Sequence, residues 1–359
     1  MLNRWDHINH LIKVNNALNA GARAHYEKIG LTYVDVPQIV GITGACENVD
    51  TLFKIGNRLG LPLFMTQTGQ LSLEQALQTL PGVYTVIHSG RDEEIEDQRH
   101  LRQFRLTEEE FDCTLEKMTR INYDEEKMYE ALLQHIEKAI KGMINRVAKD
   151  CGKILEKYYN RKTKDLLEIA KKPFGRISYE DAVKLLQKNG FPKVSFGDDL
   201  KTDHEEKIVE LVNTKNGKKN LPAFSPVFIM RYPKEIKFFN MKVSKVDSRV
   251  VLSADLIFPY AGEGTGAAVR EHDGPKLKER LLTSTMFKLH QERGGKYEDF
   301  LWYVEDMIIA GKTNPHAGYG IGNDRVIQFL LGQKDIRVSS LFSRLAEFTG
   351  DWNSEKRGQ

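Results

Sequence analysis

Val83-Tyr84-Thr85-Val86-Ile87, then Ser89-Gly90-Arg91-Asp92-Glu93, then Arg99-His100-Leu101 and Phe104: the reading of this stretch decides the fold. The first run is apolar and of strand length, so it reads as a buried strand. A more polar run from Gln103 to Phe111 reads as the returning strand. The loop between them carries Arg91, Arg99, Arg102, His100 and several carboxylates. Guanidinium forks take phosphate oxygens in bidentate fashion. A carboxylate accepts from an exocyclic amine, and an aromatic ring stacks on a base. A nucleoside triphosphate site asks for this set, and a solvated charged hairpin is the alternative these residues alone leave open.

The chain of 359 residues holds one large domain or two ordinary ones, and 40% hydrophobic residues support a core. A net charge of +3 carries no general polyanion signal. No apolar run approaches the roughly 20 residues that span a bilayer, and the N-terminus lacks signal-peptide architecture. Cys46, Cys113 and Cys151 are far apart with no Cys-x-x-Cys pair, which fits a reducing cytosol and argues against structural zinc. A cytoplasmic protein with no membrane association is expected.

Ile8, Leu11, Leu18, Ala22 and Tyr26 keep helical spacing, so residues 6–28 read as an amphipathic helix. Leu31 to Pro37 reads as a strand closed by proline. Glu47 is the only charge in its loop and reads as an exposed carboxylate, while Gln70 reads either as a satisfied helix-entry residue or as a substrate reader. Leu63-Phe64-Met65 is a short strand, and a helix is expected over 72–77, with Gln70 at its entry. Residues 124–172 read as helical, acidic at the start and basic toward the end, as the helix dipole favours. Ser178-x-x-Asp181 is a capping-box start. His204 among carboxylates reads as part of a helix start, with a metal ligand as the alternative. Strands are expected at 226–230, 237–241, 249–258 and 266–270. Asp255 lies inside the apolar run 249–258, where an unpaired carboxylate is costly. With Glu263 in the next glycine-rich turn, the pair suits a Mg²⁺ that also holds phosphate oxygens. Gly320 to Arg325 brings a glycine-rich strand and an arginine to a helix start, a plausible anion site.

Together these segments resemble the catalytic domain of class II aminoacyl-tRNA synthetases of the aspartyl and asparaginyl subgroup. The likeness spans residues 8–345. It rests on the helix and strand ending at Pro37, on Gly90-Arg91-Asp92-Glu93 through Phe104, and on Gly320-Ile321-Gly322-Asn323-Asp324-Arg325. Subgroup markers are Thr68-Gly69-Gln70-Leu71, Tyr232-Pro233-Lys234-Glu235-Ile236-Lys237, Asp255 with Glu263, Arg270-Glu271 and Pro315-His316-Ala317-Gly318. The resemblance implies an α+β fold, an antiparallel sheet flanked by helices, in one domain over 1–359 with a helical insertion at about 113–195. It also implies a homodimer and an AMP-forming ligase that uses ATP and Mg²⁺. Catalysis would rest on Arg91 and Arg325. ATP would meet Arg91, Glu93, Arg99, His100, Phe104 and Arg325; the amino acid would meet Glu47, Gln70, Glu108 and Arg270; and Mg²⁺ would meet Asp255 and Glu263.

Departures from the family pattern shape the rest of the expectation. The first-motif helix begins almost at Met1, so the N-terminal OB-fold barrel with which the family reads the anticodon is not expected here. Gln103 replaces a usual Glu, Asn323 a usual apolar residue, and Leu73 a lysine of aspartyl enzymes. The leading expectation is therefore activation of aspartate as an adenylate and its transfer to ammonia, giving asparagine, with tRNA not a partner. Transfer of an aspartyl or asparaginyl adenylate to another small amine, peptide or carrier, residual tRNA charging, and a non-enzymatic paralogue are the competing readings, and Arg270 and Gln70 serve aspartate or asparagine alike.

Overall fold

The computed structural model describes residues 4–42, 51–58, 60, 63–93, 98–215, 222, 224–309 and 313–341. Glu47 lies outside them. The first helix, α1 (Arg4–Lys28), buries Leu11, Val14, Leu18 and Tyr26. These positions recur every three to four residues, the spacing that puts side chains on one helical face. Strands β1 (Thr32–Tyr33), β2 (Ile39–Val40), β3 (Lys54–Ile55) and β4 (Leu63–Met65) follow, then α2 (Gln70–Ala76). The long hairpin is β5 (Gly82–Gly90) with β6 (Gln103–Asp112), paired antiparallel from Gly82↔Phe111 to Gly90↔Gln103.

The stretch from 113 to 195 supplies α3 (Glu125–Tyr159), α4 (Thr163–Lys171), β7 (Gly175–Ser178) and α5 (Tyr179–Gln187). Asp124 caps α3 by accepting from the backbone N–H groups of Glu126 and Lys127. Asn160 ends it at φ 50°, a left-handed conformation that Asn tolerates, so the helical reading of 124–172 splits there. α3 packs along α1 and under the main sheet, and β7 joins that sheet at its edge. The chain continues through α6 (Thr202–Lys215), β8 (Val227–Met230), β9 (Ser253–Phe258), β10 (Gly262–Val269), α7 (Gly274–Thr283), α8 (Thr285–Glu292), α9 (Leu301–Ile309), β11 (His316–Gly322) and α10 (Asn323–Leu331).

Eight strands form the main sheet in the order β1-β5-β6-β11-β10-β9-β8-β7. All neighbours are antiparallel except β1 with β5 and β7 with β8. A second sheet, β2-β4-β3, is small. Side chains alternate across a strand. Phe111, Ala254, Leu256, Ala267, Ala317, Tyr319 and Ile321 point down onto α1, α3 and α10 and make the main core. Glu108, Glu110, Asp255, Gly266, Gly318 and Gly320 take the alternate positions on β6, β9, β10 and β11, on the opposite face.

Two expected strands are corrected. Residues 31–37 keep only Thr32 and Tyr33 in ladder register with β5. Residues 237–241 form a turn after the 3-10 segment Lys234–Ile236, with a single isolated backbone bridge, Met241↔Arg270, in place of a strand ladder. Arg280 on α7 holds this turn by donating to the backbone carbonyls of Phe238 and Met241. Phe239 packs against Leu277 and Leu281 of α7, while Phe238 and Met241 pack against Val251 and Ala268. Among the described residues no helix is long and apolar enough to cross a membrane.

Candidate active site

The face of the sheet opposite α3 bears a cavity of about 390 Å³. Its lining includes Arg91, Glu93, Arg99, His100, Phe104 and Arg325 at one end and Gln70, Glu108 and Arg270 at the other, with Asp255 and Glu263 between. Eleven of the twelve residues singled out from the sequence thus lie around one space; Glu47 lies outside the described residues.

The hairpin builds the first end. Arg91 follows the last residue of β5, and its N–H donates to the Arg102 carbonyl at 2.8 Å. Its guanidinium sits over the Phe104 ring, 5.6 Å from the centroid. Arg102 is not in the cavity wall. It donates to Asp92 Oδ1 at 2.8 Å and to the Glu93 carbonyl at 2.9 Å, and so folds the loop. Arg325 lies in the first turn of α10 and donates to the Arg99 carbonyl at 2.6 Å.

In the middle, Asp255 Oδ2 accepts from Lys237 Nζ at 2.6 Å, the counter-charge its burial demands. A Cβ on Gly266 would lie 3.4 Å from Glu263 Oε1 and 3.9 Å from Asp255 Oδ1, so both carboxylates converge above this glycine. Asp255, with burial, holds the Glu263 carboxyl above the ordinary range. Glu205 on α6 enters the same wall and pairs with Arg99 at 3.1 Å.

The far end is a buried charge network. Arg270 Nη2 donates to Glu110 Oε1 at 2.6 Å. Glu74 Oε1 accepts from Gln70 Nε2 at 2.6 Å, and Oε2 accepts from the Tyr303 hydroxyl at 2.8 Å. His316 reaches Glu74 Oε2 at 3.0 Å through Nε2 and the Asn314 carbonyl at 2.9 Å through Nδ1. Burial would raise Glu74, yet His316 and Arg270 bring it below its ordinary value. Burial pushes Glu110 up against the opposing pull of Arg270. Glu108 accepts from Thr68 Oγ1 and the Gly69 N–H, and burial still pushes it up to about 7. Glu74, Glu110 and His316 bring ligand atoms within 4.8 Å of one another. Both His316 nitrogens face acceptors, which makes the ring a donor at each, and such a ring does not ligate a metal.

The glycines of β11 make this end possible. Gly318 lies across from Glu110, and a Cβ there would be 2.1 Å from the Glu110 carboxyl carbon. Gly320 lies across from Glu108 with more room, 3.5 Å.

Lys237, Glu74, Glu110, Glu205 and His316 were missed as site residues. The signal for Glu110 was legible: three successive glutamates in a strand of a buried sheet need counter-charges on both faces. Glu205 carried no such signal, because only folding brings α6 to the cavity. His204 is at the helix start, its Nδ1 facing the Lys201 N–H at 3.2 Å. Leu73 is buried with Leu77 and Val83, and Glu74 beside it turns the other way, fully buried among Gln70, Tyr303 and His316.

Comparison with known proteins fits this geometry. Residues 1–346 match the family described as tRNA synthetases class II (D, K and N). The chain belongs to that family of ligases. It is 30% identical over 349 residues to the cytoplasmic asparagine–tRNA ligase of Saccharomyces cerevisiae, covering 96% of this chain and 55% of the yeast protein. It is 33% identical over 335 residues to the asparagine–tRNA ligase of Thermococcus kodakarensis, covering 93% of this chain and 68% of the relative. The crystal structure of asparaginyl-tRNA synthetase from Pyrococcus horikoshii complexed with asparaginyl-adenylate superposes with a TM-score of 0.77 at 30% identity, over 94% of this chain and 69% of that one. The chain thus spans between about half and two thirds of the length of these relatives.

Two expectations are overturned by these relatives. Ammonia-dependent asparagine synthesis does not stand, because proteins 30–33% identical over 93–96% of the chain are named asparagine–tRNA ligases. The exclusion of tRNA as a partner falls for the same reason.

Proposed function

We propose that the cavity condenses asparagine with ATP and passes the asparaginyl group to tRNA. The observation that carries the choice of amino acid is the buried Glu110–Arg270 pair. Arg270 arrives already balanced by a carboxylate 2.6 Å away. A neutral carboxamide can accept from Arg270 through its oxygen and donate to Glu110 through its nitrogen. The second carboxylate of aspartate would meet Glu110 as a like charge in a dry site, which costs several-fold in affinity or more. Similarity to a structure complexed with asparaginyl-adenylate supports the same side.

The α-carboxylate of the amino acid attacks the α-phosphorus of ATP, the bond to the bridging oxygen breaks, and pyrophosphate leaves. A ribose hydroxyl at the tRNA 3′ end then attacks the acyl carbon and AMP leaves. Charge in the first step spreads over phosphate oxygens, so positioned cations do most of the work. Arg91 and Arg99 would hold phosphates on the hairpin side, with His100 at the triphosphate tail. Phe104 and Arg325 would bracket adenine, whose amine Glu93 would accept. Gln70, with Glu108, would orient the α-groups. Asp255 and Glu263, whose oxygens converge over Gly266, fit a Mg²⁺ that neutralises phosphate charge. Exposed Trp5 and Ile12 lie seven residues apart on α1, hence on one face, and Tyr33 and Ile39 follow. This surface would form the interface of a two-fold homodimer.

ATP–pyrophosphate exchange with each of the two amino acids tests the reading, followed by charging of total tRNA. Exchange is expected with asparagine well above aspartate, and labelled asparagine is expected on tRNA. Exchange driven by aspartate alone overturns the choice of amino acid, and exchange without charged tRNA overturns the acceptor.

A further inference from the structure

Glu109 sits between the two cavity carboxylates of β6 and, by the alternation of the strand, points the other way into the core. It is fully buried. Its Oε1 meets His135 Nδ1, from the middle of α3, at 2.5 Å. Its Oε2 accepts from the Tyr319 hydroxyl, which also reaches the Tyr26 hydroxyl of α1 at 3.3 Å. The second nitrogen of His135 meets Glu116 Oε1 at 3.0 Å, and the ring stacks on Phe111 at 4.2 Å with the planes 16° apart. The reaction proposed above uses none of these groups.

Their place in the ladder is informative. Tyr319 and Glu109 are direct cross-strand partners. The rungs on either side are Gly318↔Glu110 and Gly320↔Glu108. Neither glycine offers a side chain to hold its rung, so on the cavity face nothing of β11 fixes the carboxylates. Arg270 holds Glu110, and Thr68 with the Gly69 N–H holds Glu108, while the Glu109–Tyr319 bond lies on the opposite face. That bond joins β6 to β11 midway between them and anchors both strands to α3.

We propose that Glu109, His135 and Tyr319 are positioning residues that set the height and spacing of Glu108 and Glu110 over β11, and with them the affinity for the amino acid. This inference rests on the amino-acid site described above. Glu109 on β6, Tyr319 on β11, His25 and Tyr26 on α1, Lys138 on α3 and Glu116 after β6 face or neighbour His135. Burial alone would lower the imidazole, and the neighbouring Glu109 and Glu116 raise it to about 9. His25 is lowered by burial and does not compete as a cation. The clamp is therefore an imidazolium between two carboxylates at neutral pH, and it loosens as pH rises through about 9.

Two measurements decide it. In histidine-labelled protein, the NMR resonance absent from His135→Gln identifies His135, and its midpoint is expected near 9. Glu116→Gln, a change at the half-buried outer end of the network, is expected to lower that midpoint. In asparagine-dependent exchange, the KM for asparagine is expected to rise several-fold through the same midpoint, with the KM for ATP unchanged. Glu116→Gln is expected to move this rise to the lower pH. Tyr319→Phe is expected to raise the asparagine KM about 5- to 10-fold at neutral pH while the ATP KM holds, the size of one lost hydrogen bond. A His135 that titrates in the ordinary histidine range overturns the inference, as does an asparagine KM profile identical in wild type and Glu116→Gln. Absence of exchange with asparagine overturns the functional reading, and the clamp then stands or falls on the NMR midpoint.

Discussion

Gly318 shows how much one missing side chain decides here. Its hydrogen leaves the volume that the Glu110 carboxyl occupies, and that carboxyl holds Arg270. Gly318→Ala forces the carboxyl aside and breaks a buried charge pair, whereas Gly320→Ala brings a methyl only into ordinary contact with Glu108. A displacement near 1 Å at a reacting centre costs about 100-fold. Gly318→Ala is therefore expected to fold and to lose about that factor in kcat/KM for asparagine, with the loss at Gly320→Ala at least tenfold smaller. Equal losses in an exchange assay would remove the special role given to the Glu110 rung. At this scale the sequence was legible where residue type constrains chemistry: Arg91, Glu93, Asp255, Glu263, Arg270 and Arg325 were all read as site residues, and all line the cavity. Lys237 was quoted only as part of a motif. Its Nζ reaches Asp255 because the segment after β8 turns instead of running as a strand, and spacing alone does not show that.

Elements are held together by a close crossing of α1 and α3. A Cβ on Gly21 would lie 2.6 Å from the Gly142 carbonyl oxygen and 2.9 Å from Arg146 Cβ. Alanine in place of glycine gains up to about 1 kcal/mol from helix propensity. Overpacking against backbone costs about 1–3 kcal/mol or more. The second effect wins, because a carbonyl cannot move aside as a flexible side chain does. Gly21→Ala is expected to destabilise by about 1–2 kcal/mol in urea unfolding, and a stabilised variant would show that the helices separate at no cost. The apolar periodicity of α1 and α3 was readable along the chain. Which glycines meet was not, since that depends on the crossing point of two helices a hundred residues apart.

At the scale of the molecule, the proposed homodimer interface would draw on the exposed Trp5, Ile12, Tyr33 and Ile39. Trp5 is 74% exposed and Ile39 56%, large apolar surfaces for water to cover. Ile12→Glu and Tyr33→Glu together place two charges in the proposed interface. Light scattering is expected to give a dimer for the wild type and a monomer of 41.1 kDa for the variant. A wild-type monomer at micromolar concentration would remove the dimer.

The amino-acid sequence by itself determined the alternation of strands and helices, the family, and which residues of the hairpin line the cavity. These depend on residues close together in the chain, where period, turn chemistry and charge type act locally. The hairpin from Val83 to Phe111 carried most of that information. Only the tertiary structure decided how the Arg270 end of the cavity is built. Glu74, Glu110, Arg270, Tyr303 and His316 come from five separate stretches of the chain. Their charges balance only when a folded sheet excludes water and brings them within hydrogen-bond reach. Arg270 read alone suits a carboxylate, and Arg270 already bound to Glu110 suits an amide.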